Sequence, residues 1–320
     1  MAEGPGPGRS CPVQYRYGAA ALAAAAAPEV ETLWVAGGLY GNRFALAGLL
    51  ELFDAEPEPK QLVFNGDFHW FDADPALFDS IERAVHLHAA TRGNVETELA
   101  DPDATAGCGC GYPEWVGDAE VARSNRIIER LRAAARAHPA ALGALGRLPM
   151  FRVATVAGER IALVHGDADS LAGWGFSQER LATSGGRAAA RDSLARAAVR
   201  VFASSHTCLP VLQSLGTAGA IVNNGAAGMP NFENTRFGVA TRISVRPRRG
   251  ALYAARPGRL HVEAHAIHYD HAAWIEQFLG LWPPGSDAYA SYYSRIALGP
   301  RYAMGLASRS DRPIAVKQAA

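Results

Sequence analysis

The chain has no run of eighteen or more strongly apolar residues, so the sequence offers no transmembrane helix. It has no excess of one charge: 31 Lys plus Arg stand against 31 Asp plus Glu, a formal net charge of zero. That removes the global pull toward nucleic acid or anionic lipid that strongly basic chains exert, and no clear nucleic-acid surface is expected. Lysine is nearly missing. Only Lys60 and Lys317 occur, so arginine carries almost all the positive charge. Cysteine is scarce too. Cys11, Cys108, Cys110 and Cys208 are too few and too scattered for a disulfide scaffold, and they fit a reducing cytoplasm. What the 320 residues do have is 49% hydrophobic and 19% charged side chains, enough to bury a large core.

No repeat and no long linker divides the chain. The Gly/Pro-rich Met1–Ser10 predicts a disordered start. Gly18–Ala27, nearly all alanine, reads as a short helix rather than an export signal, since no convincing cleavage pattern accompanies it. From Glu31 a βα rhythm sets in. Thr32–Ala36 and Gln61–Asn65 are apolar runs closed by glycine, and Asn42–Phe53 and Pro75–Val85 have helical periodicity. Asp118–Arg136 predicts a long helix, and Met150–Val156 with Glu159–Val164 predicts a hairpin. The last third is strand-rich and ends in an aromatic tail around Trp282–Tyr302, which packs on the body or joins two copies of the chain. Parallel-type βα units followed by hairpins predict an α/β protein with mixed sheets covered by helices. The expected division is an N-terminal extension over residues 1–30, one domain over 31–280, and a tail over 281–320.

Four polar residues fall directly after predicted strands, at the ends where open α/β sheets place their sites. They are Asp67 in Asn65-Gly66-Asp67, Asn94 in Arg92-Gly93-Asn94, His165 in Val164-His165-Gly166, and His206 in Ser205-His206-Thr207. One carboxylate, one amide and two imidazoles suit a borderline divalent cation such as Zn²⁺, Mn²⁺, Fe²⁺ or Ni²⁺. Taken singly, each is ordinary turn chemistry. Cys108-Gly109-Cys110-Gly111 is the oddest segment. Its thiols read as a soft-metal pair, a redox bridge, part of a lid with Tyr112, or an incidental Gly-rich turn. The run His261, His265, His268 and His271 divides between two strand faces and reads as structural. Arg242, Arg246, Arg248 and Arg249 read as a solvated hairpin.

The ordered set carries a resemblance. Leu39-Tyr40-Gly41-Asn42 with Ala45-Leu46, Gly66-Asp67, Gly93-Asn94, Val164-His165-Gly166, Ser205-His206-Thr207-Cys208-Leu209-Pro210 and Asn223-Asn224-Gly225-Ala226-Ala227-Gly228 resemble the calcineurin-like metallophosphoesterases, closest to their small bacterial phosphodiesterase branch. The likeness spans roughly Thr32–His271. It implies a four-layer α/β/β/α sandwich of two mixed sheets and a two-metal cage. The cage is altered here, because the family's first-motif Asp and His fall on Gly38 and Tyr40, and the last histidine of its G-H-T-H motif falls on Cys208. Those positions serve one metal. The ligands of the other fall on Asp67, Asn94, His165 and His206, all present.

The resemblance therefore implies a hydrolase of small phosphate esters, a phosphodiester or nucleotide-like molecule, built around one divalent transition metal with a second doubtful. The histidine that many relatives carry after Gly-Asn is Val95. Candidate substitutes are Tyr40 as ligand or phenolic acid, His69, Asp167 and thiolate Cys208, while Asn42 is a candidate for phosphoryl contact. Cys108, Cys110 and Tyr112 would form the lid. The competing expectation is a catalytically degenerate member acting as a binding or regulatory module.

Overall fold

The computed structural model describes residues 6–103 and 105–310. Among them the first strands are β1 (Thr32–Ala36), β2 (Lys60–Asn65) and β3 (Ala89–Thr91), mutually parallel. A hairpin of β4 (Phe151–Val156) and β5 (Glu159–Val164) precedes β6 (Val201–Ser204), β7 (Val211–Ser214) and β8 (Ala220–Asn223). The chain closes with β9 (Gly238–Ser244), β10 (Tyr253–Ala255), β11 (His261–Ile267) and a short β12 (Ser308–Ser310). They build two mixed six-stranded sheets, ordered β10-β11-β9-β1-β2-β3 and β12-β7-β8-β6-β5-β4.

Ten helices are described. They are α1 (Ala19–Ala24), α2 (Arg43–Asp54), α3 (Pro75–Val85), α4 (Asn94–Ala100) and α5 (Asp118–Ala135). After these come α6 (Pro139–Arg147), α7 (Gln178–Ala182), α8 (Ser184–Ala197), α9 (His271–Leu281) and α10 (Asp287–Leu298).

Three apolar clusters define four layers. Between the sheets, Leu33, Val35, Val63 and Ile243 meet Ile161, Leu163, Val201 and Val222. On the outer face of the first sheet, Trp34, Phe64 and Ala240 pack beneath Leu46, Phe78, Ile128 and Trp274 of α2, α3, α5 and α9. On the outer face of the second, Ala162, Phe202 and Ile221 pack beneath Leu22, Leu181 and Leu194 of α1, α7 and α8. Covering on both faces explains why Thr32–Ala36 is uninterruptedly apolar rather than alternating. The expected α/β/β/α sandwich is the observed fold.

Two expectations need correction. Gly6–Ser10 has defined contacts, because Arg9 donates to the carbonyls of Pro113 and Val116 and to the Asp118 carboxylate at 2.6 Å. Met1–Pro5 lies outside the described residues. Arg242 is not a solvated hairpin residue either. It is buried and forks onto Glu56 at 2.8 and 2.9 Å, with Glu263 at 2.9 Å and Arg248 completing the group. A buried guanidinium requires such partners. The aromatic tail proves to be α10, whose Tyr292 ring lies edge-on to Phe71 at 5.0 Å, followed by β12 paired with β7.

β1, β2 and β3 run parallel, as do β5, β6 and β8, so the carboxyl ends of these strands open toward shared loops. Leu163 is buried between the sheets. Leu163→Ala is expected to cost about 2–5 kcal/mol of stability, read from the urea midpoint, with the fold retained.

Candidate metal centre

Asp67 follows β2, Asn94 opens α4 after β3, His165 follows β5, and His206 follows β6. All four are buried, and they meet. His165 Nε2 lies 3.2 Å from Asn94 Oδ1, 3.2 Å from His206 Nδ1 and 3.3 Å from Asp67 Oδ2. The donor atoms of Asp67, His165 and His206 all lie within 4.8 Å of one another.

The tautomers follow from what each ring faces on its other side. His165 Nδ1 is 2.8 Å from the Asn65 carbonyl, and His206 Nε2 is 2.8 Å from the Cys110 carbonyl. A carbonyl only accepts, so each of those nitrogens carries the proton. Asn94 gives its amide N–H to the Cys108 carbonyl at 2.9 Å, which turns its oxygen inward. In neutral rings, then, two bare imidazole nitrogens, an amide oxygen and a carboxylate oxygen face one another with no donor among them. An added proton on His165 satisfies one neighbour at a time. A divalent cation satisfies all four, and ring N–H to carbonyl bonds of this kind are how metal-ligating histidines are ordinarily oriented.

Charge coupling agrees with that geometry. Burial would raise the Asp67 carboxyl, but His165 outweighs it and holds it low. Burial would likewise lower His165, and Asp67 reverses it. His206 is pulled down to about 4 by burial and by the neighbouring His165.

Glu96 holds these loops in place, and sequence reasoning missed it. Its carboxylate accepts from the backbone N–H of Asp67 and Gly93 at 2.8 Å each and from Phe68 at 3.1 Å. Burial and the Asp67 charge raise it to about 7. The signal was there: a glutamate three residues after a helix-opening Gly93 is a capping spacing. Gly93 is required by close approach, since a Cβ there would run into Asp67 Oδ1. Asn65 was also missed. It donates to the Val164 carbonyl and to Ser205 Oγ and accepts from Thr91 Oγ1, linking the loop ends of both sheets.

The structure separates the other candidates. Asn42 is buried as the cap of α2, its oxygen accepting from the Phe44 and Ala45 N–H and its amide donating to the Gly228 carbonyl, so it does not face the cavity. His69 points away, held by Asp72 at 2.5 Å and Glu82 at 3.1 Å. Asp167 accepts from the backbone N–H of Asp169, Ser170 and Gly175 and shapes its own loop. Each of these three had a local partner close in sequence that meets its bonding needs.

Tyr40 and Cys208 do border the centre. The Tyr40 hydroxyl and Cys208 Sγ are 2.8 Å apart, and a Cβ on Gly38 would collide with the Tyr40 ring. Gly38, Tyr40 and Cys208 therefore interlock. Tyr40, Asp67 and Cys208 all have φ between 54° and 62°, a region that non-glycine residues rarely enter and that recurs at functional sites. Cys110 and Tyr112 roof the remaining cavity of about 70 Å³, together with Trp70, Trp174 and Tyr292. Burial pushes the Cys110 thiol up, so it remains protonated.

No protein-family model and no curated protein sequence matches this chain. Solved structures do. A metallophosphoesterase from Sphaerobacter thermophilus aligns with TM-score 0.53 and 17% identity over 84% of this chain and 100% of that one. A hypothetical protein from Pyrococcus horikoshii OT3 aligns with TM-score 0.54 and 14% identity over 84% and 99%. The chain has the metallophosphoesterase fold. No described helix of it is long and apolar enough to cross a membrane.

Two outcomes are expected here. Gly38→Ala should cost about 1–3 kcal/mol by overpacking, and much less in a Tyr40→Ala background, which a double-mutant cycle of denaturation midpoints measures. His69 is lowered by burial but raised to about 10 by Asp72 and Glu82, above an unfolded value of about 6.5. Its stabilisation is complete below about pH 6.5 and is lost as pH rises toward about 10, so urea midpoints should fall across that window and His69→Gln should flatten the fall.

Proposed function

We propose that the protein is a metal-dependent phosphoesterase acting on a phosphodiester or nucleotide-like small molecule, with one divalent transition metal (Mn, Zn, Fe or Ni) held by Asp67, Asn94, His165 and His206. The observation that carries this is the convergence of four acceptor atoms, three of them on side chains whose N–H is donated to a backbone carbonyl. A cation there supplies Lewis acidity to the phosphoryl group and to water. The chain's own residues supply the rest. Glu96 fixes the Asp67 and Gly93 loops, and the Cys108 and Cys110 carbonyls aim Asn94 and His206. Trp174 and Tyr112 exclude bulk water, and the neutral Tyr40 hydroxyl, its ionisation opposed by burial, offers a donor toward a phosphoryl oxygen.

Two features narrow the reading. Tyr40 fills the space over Gly38, which favours a single metal rather than two. No lysine or arginine is among the described residues lining the cavity. A divalent cation beside one carboxylate leaves a single surplus positive charge among the lining residues, with Arg295 adding its charge from the Cys208 carbonyl at 3.0 Å. A site this sparing in cations suits a monoanionic diester better than a dianionic monoester. We further propose residues 1–30 as an extension, 31–280 as the catalytic domain and 281–320 as a tail packed on it, in a cytoplasmic protein.

The narrow roofed cavity favours a second reading, a binding module of the same fold that no longer turns over substrate. Metal analysis with a diester assay decides between them. Chelator-free protein is expected to carry about one equivalent of metal and to hydrolyse bis(4-nitrophenyl) phosphate. Asp67→Ala should lose the metal and about a hundredfold or more of the turnover. Two equivalents in the wild type overturn the single-metal assignment, none overturns the centre, and unchanged turnover in Asp67→Ala overturns the mechanism.

A further inference from the structure

Residues 107–111 read Gly-Cys-Gly-Cys-Gly, and all three glycines have φ between 56° and 67°. That left-handed alternation, closed to most side chains, folds the segment so that its two cysteines meet. Their sulfurs are 2.6 Å apart, and both are free thiols. At Gly109 a Cβ would, besides its φ, press on the Tyr15 hydroxyl. Cys108 is fully buried, whereas Cys110 keeps 8% of its surface and borders the cavity. Neither thiol belongs to the Asp67, His165 and His206 group, whose ligand atoms lie within 4.8 Å of one another.

We propose that Cys108 and Cys110 form a redox-active dithiol whose oxidant is a low-molecular-weight disulfide, such as oxidised glutathione, meeting Cys110 at its exposed edge. Cys110, a thiol at rest, loses its proton to solvent as its sulfur attacks one sulfur of the oxidant and expels one thiolate, which takes up a proton. Cys108 then loses its proton and displaces the second thiolate from the mixed disulfide, closing the Cys108–Cys110 bond. Two protein thiols lose two electrons and two protons, and one small disulfide becomes two thiols.

The pair is wired to the centre through its own backbone. The Cys108 carbonyl accepts from Asn94 Nδ2 at 2.9 Å. The Cys110 carbonyl accepts from His206 Nε2 at 2.8 Å and from Trp174 Nε1 at 3.0 Å. Ring closure ties down the segment that aims two of the four donors. This link, unlike the dithiol itself, rests on the metal reading, and it predicts slower cation exchange in the oxidised protein.

The test uses the full chain in its native state, treated with oxidised glutathione, quenched with N-ethylmaleimide and mapped by peptide mass spectrometry. The expected product is a Cys108–Cys110 disulfide with Cys11 and Cys208 alkylated. Cys108→Ser should instead retain glutathione on Cys110, because the resolving thiol is gone. Alkylation of both Cys108 and Cys110, or glutathione found on Cys11 or Cys208 alone, overturns the dithiol. So does a bridge that forms only after denaturation. Zinc release to a chromogenic chelator is then compared between reduced and oxidised protein, with about a tenfold slowing expected on oxidation. Equal rates overturn the link while leaving the dithiol standing. Protein that binds no zinc in either state overturns the metal reading instead.

Discussion

Two hydrogen bonds from imidazole to backbone set the chemical character of this protein. By giving the His165 proton to the Asn65 carbonyl and the His206 proton to the Cys110 carbonyl, the chain turns two lone pairs toward the same small volume, already occupied by the Asp67 carboxylate and the Asn94 amide oxygen. Much else in the fold serves that arrangement. The sheets bring four loop ends together, Asn65 links the strands that bear them, and Glu96 clamps two of the loops by their N–H groups. A buried set of acceptors is costly unless something positive joins it, which is why the site reads as a cation's and not as a packing accident.

The sheets were legible in the sequence because both faces are covered. Runs such as Thr32–Ala36 and Gln61–Asn65 are apolar without alternation, and glycine ends each of them. The four central residues were legible because each follows a strand at the same edge. What escaped notice was either short or dependent on distant partners. Helix α4 opens on glycine and asparagine, poor helix formers in isolation, and owes its start to the Glu96 carboxylate reaching back to the Gly93 N–H. The ion group around Arg242 could not be foreseen, since Glu56 is 186 residues away along the chain. Asn42, His69 and Asp167 misled for the opposite reason. Each has the right chemistry in the right motif, and each is satisfied by neighbours within a few residues or by a carbonyl of its own scaffold.

One corner of the site is packed by residues that depend on one another. The missing side chain at Gly38 leaves a volume, Tyr40 fills it, and Cys208 partners the phenol. Together the three make a hydrogen-bonded wall. Tyr40 and Cys208 line the same cavity as Asp67, Asn94 and His206.

Glu96 carries one more consequence. Its four amide partners, on Asp67, Phe68, His69 and Gly93, come from two separate loops. The loops that bear Asp67 and Asn94 are thus tied by the polypeptide's own hydrogen bonds. Unlike small zinc domains, which depend on their metal to fold, a scaffold braced this way would lose a cation as a vessel loses its contents, without coming apart.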